Sequence, residues 1–331
     1  EFAEYIGIDY AAAVSNGTIG LALALKAARI KSGDVVLVPD YTFIATATSV
    51  LMVGAKPRFV DVDVETFNID VEDLLSKLDD NVRAIIAVHL FGHPCDIKAL
   101  KDIAEDRGIL LIEDAAQAHG AEAYGRKVGS FGDLAVFSFY ATKNMTMGEG
   151  GIVVSARKDF IEKVKLLRNH GQIARYVHAE LGGNFRITSF QAALGRVQLK
   201  KLDKMNEIRR SIANEYRSLL AGIRHFMLPV EKPWAKHVYH IYALRFINGL
   251  CRDAVYSCMS EKGVEVAIHY PLPIHNQPLF KSLGYEDCCT NASHLSSVEL
   301  SIPIHPRLSK DDVVYVANTL SDCIEKYCGD S

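Results

Sequence analysis

The sequence predicts an α/β fold, with a mainly parallel sheet flanked by helices and a smaller C-terminal α+β domain. Three observations predict it. Short β-rich runs alternate with amphipathic stretches through the first half of the chain. Those runs are apolar throughout rather than alternating, as strands buried on both faces are. A chain of 331 residues, 49% of them hydrophobic, can bury one large core and a smaller satellite. The expected division is a large domain over 1–222, including connecting helices, and a small domain over 223–331.

In chain order, strands are expected at Val35–Val38, Arg58–Val62, Ala84–Leu90, Ile109–Asp114, Leu134–Phe139 and Gly151–Ser155. Helical spacing falls between most of them, at Thr18–Ile30, Thr42–Val53, Val71–Leu78 and Asp96–Arg107. The chain turns helical again after Asp159, and one long helical pattern over Ser189–Leu220 connects the domains. Beyond it we expect a strand at Val238–Phe246, a helix at Arg252–Lys262, a strand at Val264–His269 and a proline-rich stretch from Tyr270 to Pro278. No internal repeat interrupts this order.

Composition excludes several function classes. A formal charge of -3 offers no basic field, so nucleic acid is not an expected partner. No apolar run approaches the ~18 residues of a membrane span, so no membrane is expected either. Seven cysteines without metal-ligand spacing point to reduced thiols in a cytoplasmic enzyme, and the adjacent Cys288 and Cys289 suit neither a disulfide framework nor a metal site. No metal is expected. Three Asn-x-Ser/Thr triplets, at Asn16, Asn144 and Asn291, are read as chance matches. The chain opens at Glu1 without a methionine, so an upstream portion is expected to be missing.

Two residues carry the chemistry. Asp114 ends an apolar run, and Lys143 follows the next one in a glycine-flanked turn. Pyridoxal phosphate (PLP) needs such a pair: an amine to hold its aldehyde as a Schiff base, and an anion to keep its ring nitrogen protonated. Ser15-Asn16-Gly17-Thr18 precedes an apolar helix, where backbone N–H groups, the Thr18 hydroxyl and the dipole could seat a phosphate; a plain N-cap is the alternative. Ser138 could add a phosphate bond, Phe43 could stack on the pyridine ring or be core, and Gln117 could reach the phenolic oxygen. His119 is either a ring-flanking group or a core histidine.

Together, Ser15–Thr18, Tyr41–Thr46, Asp114–Gly120, Ser138-Phe139, Lys143-Asn144, Gly148–Gly151, Arg168–Gly171, Leu181–Arg186, Gln191–Ala193, Val197–Leu199 and His269–Pro271 resemble the DegT/DnrJ/EryC1/StrS sugar aminotransferases. The resemblance runs over essentially the whole chain. It implies PLP fold type I with a seven-stranded sheet, and a transfer of an amino group from an amino acid, glutamate foremost, to a nucleotide-linked ketosugar. By the same resemblance Lys143 holds the cofactor aldehyde, Asp114 pairs with the ring nitrogen, and Gly17, Thr18 and Ser138 hold the phosphate. Asn184 joins them from the neighbouring subunit, so a homodimer with shared active sites is implied. His269 and Tyr270 form the substrate-side pair, offered across the subunit boundary, with Tyr176 and His178 beside them. Arg168, Arg175 and Arg186 are weaker candidates for a substrate diphosphate. Relatives of this family begin a few dozen residues earlier.

The sequence departs from the family at Met145-Thr146-Met147, where relatives carry threonines, and at Gly183 and Phe185, which lack the usual side-chain hydroxyls. Dehydrating members of the family have histidine in place of the lysine, and Lys143 argues against that chemistry. A cyclitol aminotransferase and a PLP-binding regulatory or sensory protein of the same fold remain as alternatives. A nicotinamide enzyme is disfavoured, because no Gly-x-Gly-x-x-Gly follows an early strand.

Overall fold

Apolar strands avoid water only between two helical layers, and the chain builds that arrangement. The computed structural model describes residues 1–329. Its main sheet has seven strands: β1 (Tyr10–Val14), β2 (Val35–Pro39), β3 (Lys56–Val60), β4 (Val82–Val88), β5 (Leu110–Asp114), β6 (Leu134–Ser138) and β7 (Gly151–Ser155). They lie in the order β1-β7-β6-β5-β4-β2-β3. The run from β6 through β3 is parallel, and β7 is antiparallel to both β6 and β1. β2, β6 and β7 are buried at every position.

β1 is a strand that the sequence did not announce. Tyr-Ala-Ala-Ala-Val is mostly alanine, a poor strand former, and pairing with the edge of β7 makes it one. The following helix, Gly17–Ala27, lies on β6 and β7 and against the helix Lys158–Leu167, burying Leu21, Leu23 and Leu25. Asn16 caps it, its side chain accepting from the Ile19 N–H at 2.9 Å.

The expected long helix over Ser189–Leu220 is two helices, Ser189–Leu199 and Leu202–Leu219. The second buries Ile212, Ala213 and Tyr216 in the core of a small sheet made by Phe226–Met227, Tyr242–Phe246 and Glu299–Ile302. The helices Gly249–Glu261 and Lys310–Tyr327 complete that core. Not all of 223–331 packs on this small sheet: Ile274, Phe280, Cys289, Ala292 and Leu295 join the core of the main one.

Two expected strands are corrected. Val238–His240 is loop and the strand starts only at Tyr242, because Tyr239 sits at φ 45° and the Val238 carbonyl is taken by Asn144. Val264–His269 makes a single bridge, Ala267 with Ser301. The sequence reading also passed over Glu299–Ile302 and the helix Lys310–Tyr327, which opens with a capping box of Ser309 and Asp312.

The expectation of seven reduced cysteines is also corrected. Cys251 pairs with Cys328 and Cys258 with Cys323, at Cα separations of 5.1 and 5.9 Å. The reason is tertiary: the Gly249–Glu261 and Lys310–Tyr327 helices dock side by side, and partners are matched in reverse order along them. Cys95, Cys288 and Cys289 are free. No helix among the described residues is long and apolar enough to cross a membrane.

Reducing the disulfides should lower the unfolding free energy by about 2–4 kcal/mol for the first bond lost and by less for the second, because each closes a long loop in the unfolded chain and one loop lies inside the other. Urea denaturation with and without reductant measures this. An unchanged midpoint would count against these cross-links.

Candidate active site

The carboxyl ends of parallel strands gather loops on one edge of a sheet, and a ligand crevice forms there. Here β5 ends in Asp114, β6 ends in Ser138, and β2 runs into Tyr41-Thr42-Phe43. A cavity of about 710 Å³ opens at that edge. Gly17, Thr18, Phe43, Asp114, Gln117, Ser138, Lys143, His269 and Tyr270 all line it.

Asp114 is 6% exposed, and its two oxygens accept from Thr46 Oγ1 at 2.9 Å and from the Ala116 N–H at 3.2 Å. Burial pushes its carboxyl up; the two hydrogen bonds and Lys143 offset this only in part. No helix starts at Ala115, so Asp114 closes a short turn and is not a helix cap.

Its neighbour Glu113 is wholly buried and secures the same strand end. Glu113 accepts from the N–H groups of Gly129, Phe131 and Gly132 at 2.6, 2.8 and 2.7 Å. It also accepts from His89 Nε2 at 3.0 Å, while His89 Nδ1 accepts from the Cys95 N–H. Burial would raise this carboxyl, but His89 and the backbone donors outweigh it and hold it low.

Lys143 lies in a turn closed by its own N–H on the Tyr140 carbonyl at 3.0 Å. Burial lowers its ammonium to about 8, against the attraction of Asp114. Sequence reasoning missed its partner, His240, whose Nε2 is 3.5 Å from Lys143 Nζ. The amide nitrogen of Asn144 donates to Asn206 Oδ1 at 2.9 Å and to the Val238 carbonyl at 3.1 Å. Its oxygen therefore accepts from His240 Nδ1 at 3.1 Å, and the bare Nε2 faces the lysine. Burial and then Lys143 drive His240 well below the usual histidine range, so it stays neutral. No sequence spacing links 143, 144, 206 and 240; the loop before Tyr242 and the helix Leu202–Leu219 bring them together.

The helix at Gly17 supplies the anion seat. Asn16 is indeed its cap, and Gly17 and Thr18 of the first turn stand on the cavity wall beside Ser138. A Cβ at position 17 would lie 3.0 Å from Ser138 Cβ, which is why glycine stands there. With this seat at one end, a buried carboxyl lacking a full cationic partner, and an amine whose charged form burial weakens, the donor set fits PLP.

The opposite wall comes from the C-terminal half. Gln117 accepts from the Phe91 N–H at 2.7 Å and donates to the Tyr270 hydroxyl at 3.0 Å. Tyr41 donates to the His269 carbonyl at 2.6 Å and accepts from the Tyr270 N–H at 3.0 Å. His269 and Tyr270 thus stand in their own chain's cavity, a correction to the expectation that they cross the subunit boundary. Phe43 is 55% exposed at the rim, its ring 6.2 Å from that of Tyr270.

The remaining candidates lie elsewhere. Asn184 is exposed and bridges Asn169, while Tyr176 (79% exposed) and His178 belong to a small exposed hairpin. Arg168 donates to the Ala13 carbonyl, Arg186 to Asn169, and Arg175 lies over the Tyr176 ring. His119 is packed between Phe137 and Phe139 away from the cavity wall, both ring nitrogens unpartnered. Burial, then Lys143, lowers its pKa to about 3, which keeps it neutral.

Residues 1–321 match the model of the DegT/DnrJ/EryC1/StrS aminotransferase family. The chain is 36% identical to the GDP-perosamine synthase of Vibrio cholerae over 99% of this chain and 89% of that protein. It is 38% identical to a UDP-N-acetyl-3-dehydro-alpha-D-glucosamine 3-aminotransferase of Acidithiobacillus ferrooxidans, over 97% and 86% of the two chains. Among solved structures it resembles S. venezuelae DesV in complex with a ketimine intermediate, with a TM-score of 0.93 and 36% identity over 97% of this chain and 86% of that one.

Two measurements check this geometry. In cofactor-free protein, the rate of Lys143 acylation, followed by peptide mass spectrometry, should rise with a midpoint near pH 8, where burial places the amine; a midpoint like that of a surface lysine would refute the burial argument. Glu113→Gln should cost about 3 kcal/mol of stability, because it leaves buried donors without their anion. Since folding holds this carboxyl below its ordinary 4.5, its contribution is complete above that value and lost as pH falls through the lower folded value. Wild type should therefore lose an increment of stability on acidification that the glutamine variant lacks.

Proposed function

The chain belongs to the DegT/DnrJ/EryC1/StrS aminotransferase family and is a PLP-dependent transaminase, and from that premise we propose that it moves the amino group of glutamate onto a nucleotide-linked ketosugar. The observation that carries the reading is the meeting of Lys143, Asp114 and the Gly17–Thr18–Ser138 anion seat in one cavity. The nucleotide-sugar names of its relatives support the substrate class.

When bound, the cofactor supplies an aldehyde carbon that exchanges amines and a pyridinium ring that draws electrons from the neighbouring carbon. The chain's own residues do the rest. Gly17, Thr18 and Ser138 anchor the phosphate, and Asp114 would favour a protonated ring nitrogen, which in turn would return its raised carboxyl to the anionic form. Lys143 Nζ, with a pKa of about 8, has a free-base fraction near neutral pH and can take a proton from one carbon and deliver it to another. His240 Nε2 aims that amine by accepting from it, and Asn144 fixes the imidazole tautomer. Tyr270 and Gln117 fix one wall, and Phe43 offers a flat apolar face at the rim beside Tyr270.

We further propose that two copies complete each site. Ile173, Tyr176, Leu181 and Phe190 are 63%, 79%, 84% and 84% exposed on one stretch of a single chain, more than a lone subunit normally leaves in water. In this reading Asn184 reaches the partner's phosphate seat, and Tyr176 and His178 face the partner's substrate alongside its His269 and Tyr270.

Glutamate with a panel of nucleotide ketosugars, read by mass spectrometry, should yield 2-oxoglutarate and one aminated sugar. Lys143→Ala should abolish this with an unchanged circular dichroism spectrum, and Asp114→Ala should lose about 10²-fold or more. Wild-type turnover in either variant would refute its role. Mixing inactive Lys143→Ala and Asn184→Ala chains should restore turnover if sites are shared, and a failure to do so would rule sharing out.

A further inference from the structure

A second group of reactive side chains lies beyond the end of β2, outside the cofactor cavity. Asp40 is fully buried and holds His275 twice: its oxygens accept from the His275 backbone N–H at 2.9 Å and from ring Nδ1 at 2.5 Å. The proton is therefore on Nδ1, and the lone pair of Nε2 points away from Asp40. His275 is itself fully buried, and that Nε2 has no hydrogen-bond partner. Asp287 Oδ1 stands 3.4 Å from it, outside hydrogen-bond geometry, and is already engaged by Lys281 at 2.7 Å. An unpaired buried nitrogen costs free energy unless something takes its lone pair.

Two sulfurs lie close to this histidine. The Cys288 and Cys289 Sγ atoms are 2.8 Å apart, and one donor atom from each of Asp40, His275, Cys288 and Cys289 lies within 4.8 Å of every other. Cys289 is buried and Cys288 exposed, which gives the cluster an opening to solvent. Lys77 Nζ stands 3.8 Å from Cys289 Sγ.

We propose that His275 Nε2 and the sulfurs of Cys288 and Cys289 bind one thiophilic divalent cation of the zinc class, with Asp40 as the positioning carboxylate behind the histidine. The chemistry matches at each point. A nitrogen and two thiolates are a zinc donor set, and two thiolates neutralise the divalent charge. A carboxylate on the far ring nitrogen fixes the tautomer of a metal-binding histidine and raises its basicity. Bonds of about 2.3 Å at tetrahedral angles set two sulfurs about 3.7 Å apart, so the thiols need to part by about 1 Å. Water or the Asp287 carboxylate fills the fourth position, and binding releases the two thiol protons. The ion would tie residues 274–289 to the end of β2, directly before Thr42 and Phe43 of the cofactor cavity. Its role is structural.

In sequence the adjacent Cys288 and Cys289 suit neither a disulfide framework nor a metal site. His275 and Asp40 lie 13 and 248 residues from Cys288, and the fold brings them in.

The test uses the holoenzyme, stripped by chelator, titrated with zinc alone, desalted and assayed for metal by plasma mass spectrometry. Wild type should retain one zinc per chain, and the double variant Cys288→Ser/Cys289→Ser almost none. Asp40→Asn should bind about 10–100-fold more weakly. Cobalt(II) should give wild type, and not the double variant, the visible bands of tetrahedral sulfur ligation at wavelengths where PLP does not absorb. If the double variant does not fold, Cys288→Ser, altered at an exposed position, takes its place. Equal zinc in wild type and variant, no retained zinc in wild type, or a native thiol titration that finds the two sulfurs bonded to each other would each overturn the proposal. All of these readouts are independent of turnover.

Discussion

An acid and an amine of opposite charge share one cavity wall, and neither is at ease there. Burial drives Asp114 towards its protonated form and Lys143 towards its free base, and their mutual attraction is too weak to restore both charges. This unresolved tension suits a site that takes up a cationic ring and needs a lysine able to give and accept protons. Most of the surrounding structure can be read as means of holding these two groups in place.

The first of those means is the parallel sheet. A slip of one residue would exchange the two faces of β5 and carry Glu113 and Asp114 away from their buried donors, so β5 and β6 present Asp114 and Ser138 at a fixed register. Glu113 then secures the end of β5 through three backbone N–H groups and His89, on the side of the strand away from the cavity. Adjacent acids on one strand have opposite tasks. One is held charged by donors, and the other is left short of them.

The second is the return of the C-terminal half to the cavity. Tyr41 clamps the backbone at His269 and Tyr270, and Asn144 locks both the Val238 loop and the His240 tautomer. The turn that carries Lys143 is therefore braced by residues 62 to 96 positions away in sequence. The two disulfides do not line this cavity and knit the helices of the small sheet to each other.

The sequence by itself determined the α/β class, four of the main-sheet strands closely and β3 and β4 each with a shift of two residues, and nine residues that line one cavity. It could do so because unbroken apolar runs, helix-spaced hydrophobics and glycine-flanked polar motifs are local patterns with local physical causes. It could not give β1, whose alanines become a strand only beside β7. Nor could it show His240, a histidine in what reads as a strand until Tyr239 adopts a positive φ. The cysteine pairs depended on two helices docking, the Asp40–His275 contact on a chain return of 235 residues, and the place of His269 and Tyr270 on one tyrosine hydroxyl. Each of these is a contact between distant segments, and packing rather than local preference decides it.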